Sequence, residues 1–285
     1  MIRRHPAISK FGHHMTDDQI RTVAPSAFAV EAHESRSDRY AYIPTSNIIA
    51  AMRREGFSPT YAGQSKSRDE SRREFTKHMI RFRPADALPA VGGLFPEIIL
   101  VNSHDGTSAY QLFSGLFRLV CLNGLMTGTS YESLRVPHKG DVVSQVIEGS
   151  FTVIADSRRS IEAAGEMSRV RLNHEEQQLF ARGAHLLRFE GSQVGAAIQP
   201  SQLLVPRRAE DRADDLWTTF NRVQESTIRG GVHGWTPSEP GRRPRRVTTR
   251  GVQAITQQTG LNRALWTLAE GMAALKEGRP LPLAA

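Results

Sequence analysis

Alternating apolar and polar residues dominate the first half of the chain and predict a small β-sheet. The predicted strands are residues 38–43, 57–64, 74–83, 97–103 and 107–113. Between the first two strands, apolar residues recur at helical spacing, so we predict a helix from Pro44 to Gly56. The dipeptide Asp105-Gly106 is typical of a tight hairpin turn and joins the last two strands. The pattern therefore predicts a mainly antiparallel sheet crossed by helices.

The spacing of the apolar residues changes after the fifth predicted strand. From Gly115 onward the recurring positions have helical spacing and are Leu116, Leu119, Val120 and Asn123. Gly124 is suited to end such a helix. We therefore predict a short helix between Gly115 and Met126, while residues 110–116 fit either helix or strand.

Helical periodicity continues through the second half. Helices are predicted at residues 141–170, from Asn173, at residues 214–228 and from Thr259. Asn173 and Glu176 have the spacing of a capping box, and Gly230-Gly231 stops the third helix. The last helix carries a stripe of apolar residues, namely Leu261, Leu265, Leu268, Met272 and Leu275. This stripe suits either a helix–helix seam or packing on the chain's own helices.

These elements predict an α+β fold, with a small mainly antiparallel sheet crossed by helices and followed by a helical C-terminal half. The predicted organisation is an N-terminal arm, an α+β core domain, a helical region, a basic arm or loop, and a C-terminal helix with a tail. In the same order, these segments are residues 1–25, 26–137, 138–230, 231–258 and 259–285.

The composition of the chain indicates a class of binding partner. The chain has 285 residues and 37 Lys and Arg against 29 Asp and Glu, which gives a net charge of +8. An anionic partner is therefore expected, most commonly nucleic acid, although a basic protein without such a partner fits the charge equally well. The N-terminus lacks the apolar segment of a secretory signal, no apolar run is long enough to span a membrane, and there is one cysteine. We expect a cytoplasmic protein without an internal disulfide.

The third predicted strand carries the first candidate binding surface. One of its faces combines cations with apolar side chains, and the preceding turn adds two more cations. The candidate nucleic-acid-binding residues of this surface are Arg72, Arg73, Phe75, Lys77, Arg81 and Arg83. Phe75, or Tyr61 on the adjacent strand, could stack on unpaired bases. The alternative is an ordinary solvated sheet face, because long cationic stems often cover a sheet.

The second candidate surface is the sequence GRRPRRVTTRG at residues 241–251. Its candidate binding residues are Arg242, Arg243, Arg245 and Arg246. Pro240 and Pro244 exclude a helix, so these cations are expected on an extended arm that follows a phosphate backbone. A solvated linker is the alternative. Arg118, alone in an apolar segment, would either pair with Asp105 or Glu97 or contact a phosphate.

Known catalytic patterns are not evident, and we predict no catalytic residue, metal site or cofactor. Cys121 lies in an apolar setting that makes a thiol unreactive. Ser103, His104 and Asp105 are adjacent in sequence, which is no indication of a catalytic triad, and Asp105 is better suited to stabilise a turn. There is no phosphate-binding loop or dinucleotide fingerprint. A metal-dependent nuclease using Glu97, His104 and Asp105 remains an alternative.

The segment VNSHDGTSAYQLFSGLFRLVCLNGL resembles a bacterial phage/plasmid-like family grouped as a domain of unknown function (family 932). The resemblance covers about residues 25–277 and implies a mobile-element context. Its signature residues are Ser103, His104, Asp105, Gly106, Arg118, Cys121, Asn123 and Gly124. More distantly, YAYIPTSNIIAAMRREGFSPTYAGQS is similar to the strand–helix–strand core of single-strand-annealing recombinases, which the helix at 115–126 would complete.

Our leading hypothesis is a non-enzymatic DNA-binding protein of a plasmid or prophage, which prefers single strands and promotes annealing. An interaction protein that interferes with a host defence or restriction enzyme is a second hypothesis. It would use the same positive surface, or the helical half, to bind a host protein. Homo-oligomerisation is compatible with either hypothesis.

Overall fold

The structure is a computed structural model, and it describes residues 7–8, 14–34, 42–67, 69–87, 93–118, 123–126, 134–137, 140–237 and 243–281. The chain divides into two compact units, Met1–Ile161 and Glu162–Ala285. Most of the predicted strand at residues 38–43 lies outside the described residues, as do Cys121 and Arg242.

The first unit is an antiparallel sheet with helices packed on one face. Its described strands are β1 (Ala7–Ile8), β2 (Phe57–Gln64), β3 (His78–Pro84), β4 (Leu94–Asn102), β5 (Tyr110–Arg118), β6 (Asn123–Met126) and β7 (Leu134–Val136). Its helices are α1 (Asp17–Val23), α2 (Thr45–Arg54) and α3 (Val142–Met167), and α3 continues across the boundary between the units. The strands follow the order β1-β2-β3-β4-β5-β6, with β7 beside β5, and these pairings are antiparallel.

The apolar core of this unit lies between the sheet and the three helices. Alternate residues of the central strands face the helices, among them Phe82, Ile98 and Leu112, and each is at most 1% exposed. The opposite sheet face is also buried, since Ile99 is 1% exposed and Val101 is 2% exposed. Both faces of β4 are therefore removed from water, which explains why its sequence is almost continuously apolar.

Local sequence signals set several element boundaries. Thr16 accepts a hydrogen bond from the backbone N–H of Gln19 and completes a capping box at the start of α1. Gly56, at φ +81°, follows the end of α2 and opens β2.

The connection between β4 and β5 is longer than the tight turn that the Asp-Gly sequence predicts, because β4 ends at Asn102 and β5 begins at Tyr110. The Asp105 carboxylate accepts hydrogen bonds from the backbone N–H of Thr107 at 3.0 Å and from its hydroxyl at 2.6 Å. Gly106 has φ +78°, a conformation that favours glycine. The predicted turn role of Asp105 is confirmed.

The helix predicted between Gly115 and Met126 is wrong. β5 continues as far as Arg118, and β6 pairs with it in the register Leu116–Leu125 and Arg118–Asn123. Leu116 is 0% exposed and Phe117 is 5% exposed, although neighbouring strand residues point to opposite faces. A strand buried on both faces loses its alternation, so the apolar residues there matched a helical period by chance. The similarity to annealing recombinases required a helix at this place, and the described residues form strands there instead.

The third strand is also shorter than predicted, because it begins at His78 rather than Glu74. Residues 71–75 form turns instead. Phe75 and Lys77 therefore precede β3 and do not belong to its faces.

The second unit is a helical assembly that carries a small hairpin. Its described elements are α4 (His174–Phe189), α5 (Gln193–Ala197), α6 (Leu216–Arg229), β8 (His233–Trp235), β9 (Arg246–Thr248) and α7 (Ile255–Lys276). α6 is the central helix, since every residue from Leu216 to Ile228 is buried. The predicted capping box of Asn173 and Glu176 starts α4. With this helical half, the α+β fold class is confirmed.

The apolar stripe of the last helix is divided between buried and exposed positions. Leu265 is 0% exposed and Leu261 is 6% exposed, and α7 packs against α6 and α4 within its own unit. Leu275, at the far end of the stripe, is 66% exposed. Among the described helices, none is long and apolar enough to cross a membrane.

Candidate nucleic-acid interface

A two-stranded hairpin occupies much of the segment predicted to be a basic arm. β8 and β9 pair antiparallel, with Trp235 opposite Arg246 and His233 opposite Thr248. The backbone N–H of Thr236 donates to the carbonyl of Arg245 at 2.9 Å and extends the pairing. We call residues 233–237 and 243–248 the basic hairpin. The prolines exclude a helix as predicted, but the chain after Pro244 forms a strand instead of a free arm.

One face of the basic hairpin is fixed to the unit beneath it. Gly234 faces inward, so close to α5 that a Cβ atom there would lie 1.9 Å from the carbonyl oxygen of Ala197. The Gln202 side chain donates to the carbonyl of His233 at 2.7 Å. At the base, the backbone N–H of Gly231 donates to the carbonyl of Thr249 at 2.8 Å. These contacts give the hairpin a defined orientation, with its other face outward.

The outward face presents an exposed indole. Trp235 is 63% exposed, whereas Trp217 is 8% exposed and Trp266 is 1% exposed. Because directly opposite residues of an antiparallel pair point to the same face, Trp235 and Arg246 stand side by side. An exposed indole beside a guanidinium leaves a large apolar ring in water, an arrangement typical of binding surfaces.

Further cations surround this indole. Arg243, Arg245, Arg246 and Arg250 are all exposed. In the part of the chain that the structure describes, none of them forms an ion pair with a carboxylate. The positive charge of the hairpin is therefore left to solvent or to an anionic ligand.

The other predicted surface has a different arrangement, because Arg81 and Arg83 are buried. Each lies 2.8 Å from a carboxylate oxygen of Glu97, and their side chains are 9% and 10% exposed. The Thr60 hydroxyl also donates to Glu97, at 3.0 Å. The guanidinium of Arg83 lies 4.3 Å from the ring centre of Phe95. The prediction of an exposed cationic face is wrong, because β4 supplies the counter-charge and this sheet face is covered.

The remaining predicted cations of the first unit are dispersed. Arg72 is exposed and lies 3.5 Å from Asp69, and Arg73 is exposed in the same turn. Lys77 is partly buried, and Arg118 is 7% exposed at the end of β5. Phe75 packs edge-on against His33, with ring centres 5.3 Å apart, so its ring is not presented to a base.

One signature residue, His104, belongs to a buried polar network at the start of α2. The Thr45 hydroxyl lies 2.9 Å from His78 Nε2, 3.2 Å from His104 Nε2 and 3.2 Å from Asn102 Nδ2. His78 and His104 are both 0% exposed. Burial lowers the pKa of His78 to about 4. The network joins α2 to the sheet. Because it is sealed from solvent, it offers no surface to a ligand.

Other signature residues stabilise the chain around this network. Ser103 accepts a hydrogen bond from the backbone N–H of Ser108 at 2.8 Å and closes the loop that contains Asp105 and Gly106. Burial alone would raise the pKa of Asp105, but the hydrogen bonds from Thr107, Ser103 and its own backbone together hold it below its ordinary value. Asn123 and Gly124 belong to β6.

The residues proposed for a metal-dependent nuclease do not converge. Glu97 is held by two arginines, and four residues of β4 lie between it and Asn102, about 17 Å of extended strand. His104 and Asp105 follow that strand end. Among the described residues, no group of three His, Cys, Asp or Glu side chains is placed to hold a metal ion.

Sequence comparison places this α+β chain in a family. Residues 32–266 match the family described as "Domain of unknown function (DUF932)", and the chain belongs to it, as the resemblance indicated. The UPF0380 protein YafZ of Escherichia coli (strain K12) is 46% identical over 258 residues, covering 90% of this chain and 91% of that protein. The UPF0380 protein YfjQ of the same strain is 46% identical over 256 residues, covering 90% of each chain. No solved structure matches the chain.

Trp235 is the residue that sequence reasoning missed. The aromatic candidates were Phe75 and Tyr61, which the structure places against His33 and beside the buried Arg81. The available signal was the tryptophan in HGWTP, a few residues before the arginine run and separated from it by turn-forming Pro and Gly. That spacing is typical of a hairpin, which would have paired the indole with the arginines.

Proposed function

We propose that this chain is a non-enzymatic nucleic-acid-binding protein that binds single-stranded DNA through the basic hairpin. The observation that carries the proposal is the outward-facing Trp235, 63% exposed and directly opposite Arg246. A mobile-element context is a further part of the proposal, motivated by the family resemblance. A role in strand annealing is proposed from the more distant likeness to annealing recombinases, of which the α2–β2 part remains.

The preference for single strands follows from the geometry of the indole. A planar ring on the outer face of a hairpin can stack on an unpaired base, whereas duplex bases already stack on each other. Stacking of this kind contributes about 1–3 kcal/mol per base and is tolerant of sequence. The guanidiniums of Arg243, Arg245 and Arg246 would neutralise the neighbouring phosphates and release counterions.

Intrinsic fluorescence tests the proposal directly, because only one of the three tryptophans is well exposed. Titration with oligothymidylate at low salt should quench the emission of Trp235, and a duplex of equal length should quench it much less. Trp235→Phe should abolish most of the quenching and retain binding in a mobility-shift assay. Trp235→Ala should weaken binding roughly five- to 150-fold. Unchanged affinity in Trp235→Ala would contradict the proposal.

The salt dependence of binding tests the cations. Replacing Arg243, Arg245 and Arg246 together with Ala should reduce the slope of log K against log salt concentration by about 2, since each single-strand phosphate contact contributes about 0.7. Arg171→Ala is the matched control, because Arg171 is an exposed cation of the same unit that already pairs with Asp214 at 2.7 Å. An unchanged slope in the triple variant would remove the basic hairpin from the interface.

Annealing is tested separately from binding. Two complementary oligonucleotides should form duplex faster with the wild-type chain than with the Trp235→Ala variant, at concentrations where both strands are bound. Equal rates with and without protein would leave single-strand binding in place and exclude annealing.

A further inference from the structure

At the base of the basic hairpin, the chain passes directly over the C-terminal end of α6. The backbone N–H of Val252 donates to the carbonyl of Ile228 at 2.8 Å. A Cβ atom on Gly230 would lie 2.6 Å from the carbonyl carbon of Arg250. This close crossing places the backbones of Arg229, Gly230 and Arg250 next to one another.

A third arginine reaches the same place from a preceding segment. The Arg207 guanidinium donates to the carbonyl of Gly230, and a Cβ atom on Gly231 would lie 3.8 Å from both of its terminal nitrogens. A guanidinium has five N–H groups, so most of its donors remain available after this bond. Within the described residues, no carboxylate lies at ion-pair distance from Arg207.

The nearby carboxylates are already occupied by other arginines. Arg208 pairs with Asp211 at 2.6 Å and with Glu225 at 2.7 Å. Arg229 pairs with the other oxygen of Glu225 at 2.8 Å, and its side chain is 59% exposed. Arg208 and Arg229 thus occupy both carboxylates, and three guanidiniums stand against two carboxylates.

This excess of charge changes the electrostatics of Arg207. Burial lowers its pKa, and Arg229 and Arg208 lower it further against the opposing effect of Glu225. An anion at this position would relieve the repulsion among the three guanidiniums. The backbone of Arg250 lies beside Gly230, and its exposed side chain makes it a fourth arginine in this part of the chain.

We infer that Arg207, Arg229 and Arg250 form a phosphate subsite at the base of the basic hairpin, which receives a backbone phosphate of the strand whose base stacks on Trp235. The inference rests on the proposed function. Three residues lie between Gly231 and Trp235, and the four steps along extended chain span about 13 Å. At roughly 3.4 Å per phosphate, about four nucleotides span this distance, and fewer suffice when the strand is extended.

The subsite is tested with Arg207→Gln and Arg250→Ala in the full chain. Arg250→Ala is informative because its exposed side chain forms no ion pair with a described residue, so the variant should fold normally. Each variant should bind an oligothymidylate of eight nucleotides roughly three- to tenfold more weakly. Each should also lower the salt slope by about 0.7. Arg171→Ala, at the opposite end of α6 near Asp215, should change neither quantity.

A second probe separates failure of the subsite from failure of the proposed function. Inorganic pyrophosphate should raise the melting temperature of the wild-type chain more than that of Arg207→Gln. If the hairpin triple variant loses oligothymidylate binding while Arg207→Gln and Arg250→Ala retain it unchanged, the subsite is overturned and the proposed function stands. If oligothymidylate does not bind but pyrophosphate stabilises the wild type alone, the subsite stands and the proposed function fails. If neither probe acts, both are overturned.

Discussion

The arginines of β3 and those of the basic hairpin have opposite structural roles. In β3, Arg81 and Arg83 alternate with apolar residues, and the neighbouring strand supplies Glu97 at 2.8 Å from each. In the hairpin, the partner strand supplies Trp235 opposite Arg246. The role of a cation in a strand is therefore set by the residue that the neighbouring strand places against it, a carboxylate in the first case and an indole in the second.

This difference also separates stability from binding. The charges on β3 have lost their water, so their pairing with Glu97 is needed to keep them buried. The hairpin charges keep their hydration until a ligand replaces it. Substitutions at the first set should therefore alter folding, and substitutions at the second should alter affinity.

The largest expected effect follows from removing the shared carboxylate. Glu97→Gln leaves two buried guanidiniums without compensation and should lower the free energy of unfolding by about 3–5 kcal/mol. Urea denaturation measures this loss. Glu74→Gln, at an exposed position, is the control and should change stability by less than about 0.5 kcal/mol. A loss below about 1 kcal/mol for Glu97→Gln would mean that the buried pairs do not stabilise the sheet.

Acid should destabilise the same unit through His78. Its pKa is about 4 in the folded chain and 6.5 for a solvated histidine, so the unfolded chain binds the extra proton between these values. The stabilisation is complete above pH 6.5 and is lost as the pH falls towards 4, by on the order of 3 kcal/mol. Denaturation midpoints measured across this range should fall with pH. A flat profile would contradict the buried, neutral state of His78.

An intermediate effect is expected from undocking the hairpin. Gly234→Ala places a Cβ atom 1.9 Å from the Ala197 carbonyl oxygen, so the strand must shift. We expect a loss of about 1–3 kcal/mol in the free energy of unfolding and roughly tenfold weaker oligothymidylate binding. Gly260→Ala is the matched control, because nothing lies within 4 Å of its Cβ and α7 should gain up to about 1 kcal/mol. Equal behaviour of the two variants would show that the hairpin is not held by this contact.

The smallest effect should come from the exposed turn before β3. Replacing Arg72 and Arg73 with Ala removes a solvent-exposed pair with Asp69 at 3.5 Å, which contributes less than about 1 kcal/mol. Oligothymidylate affinity should stay within about twofold of the wild type. A loss as large as that of the hairpin triple variant would return the turn to the binding surface.

Local signals explain what could be predicted from the sequence. Thr16 and Asn173 cap helices with groups three residues away, and Asp105 bonds to Thr107 two residues on, so these features need no knowledge of the fold. The strand at Tyr110–Arg118 could not be distinguished from a helix, because burial on both faces removes its alternation.

Pairings distant in sequence explain the rest. The burial of Arg81 depends on Glu97 in a neighbouring strand, and no local pattern links the two. The outward position of Trp235 depends on its pairing with β9, which lies in the segment predicted to be a basic arm or loop. Predicting the candidate site therefore requires the strand register, whereas predicting the fold class requires only the order of the elements.

The crowded hydroxyl of Thr45 has a consequence for where hydrogens lie in the core. His78 Nδ1 lies 3.0 Å from the Ser26 hydroxyl and 3.3 Å from the Thr76 carbonyl, which can only accept. We therefore expect the ring hydrogen on Nδ1, with Nε2 accepting the single hydrogen of Thr45. The oxygen of Thr45 then receives hydrogens from the Asn102 amide and from Nε2 of His104. The two imidazoles are thus opposite tautomers locked by one hydroxyl, and nitrogen NMR of the rings should show a protonated Nδ1 in one and a protonated Nε2 in the other.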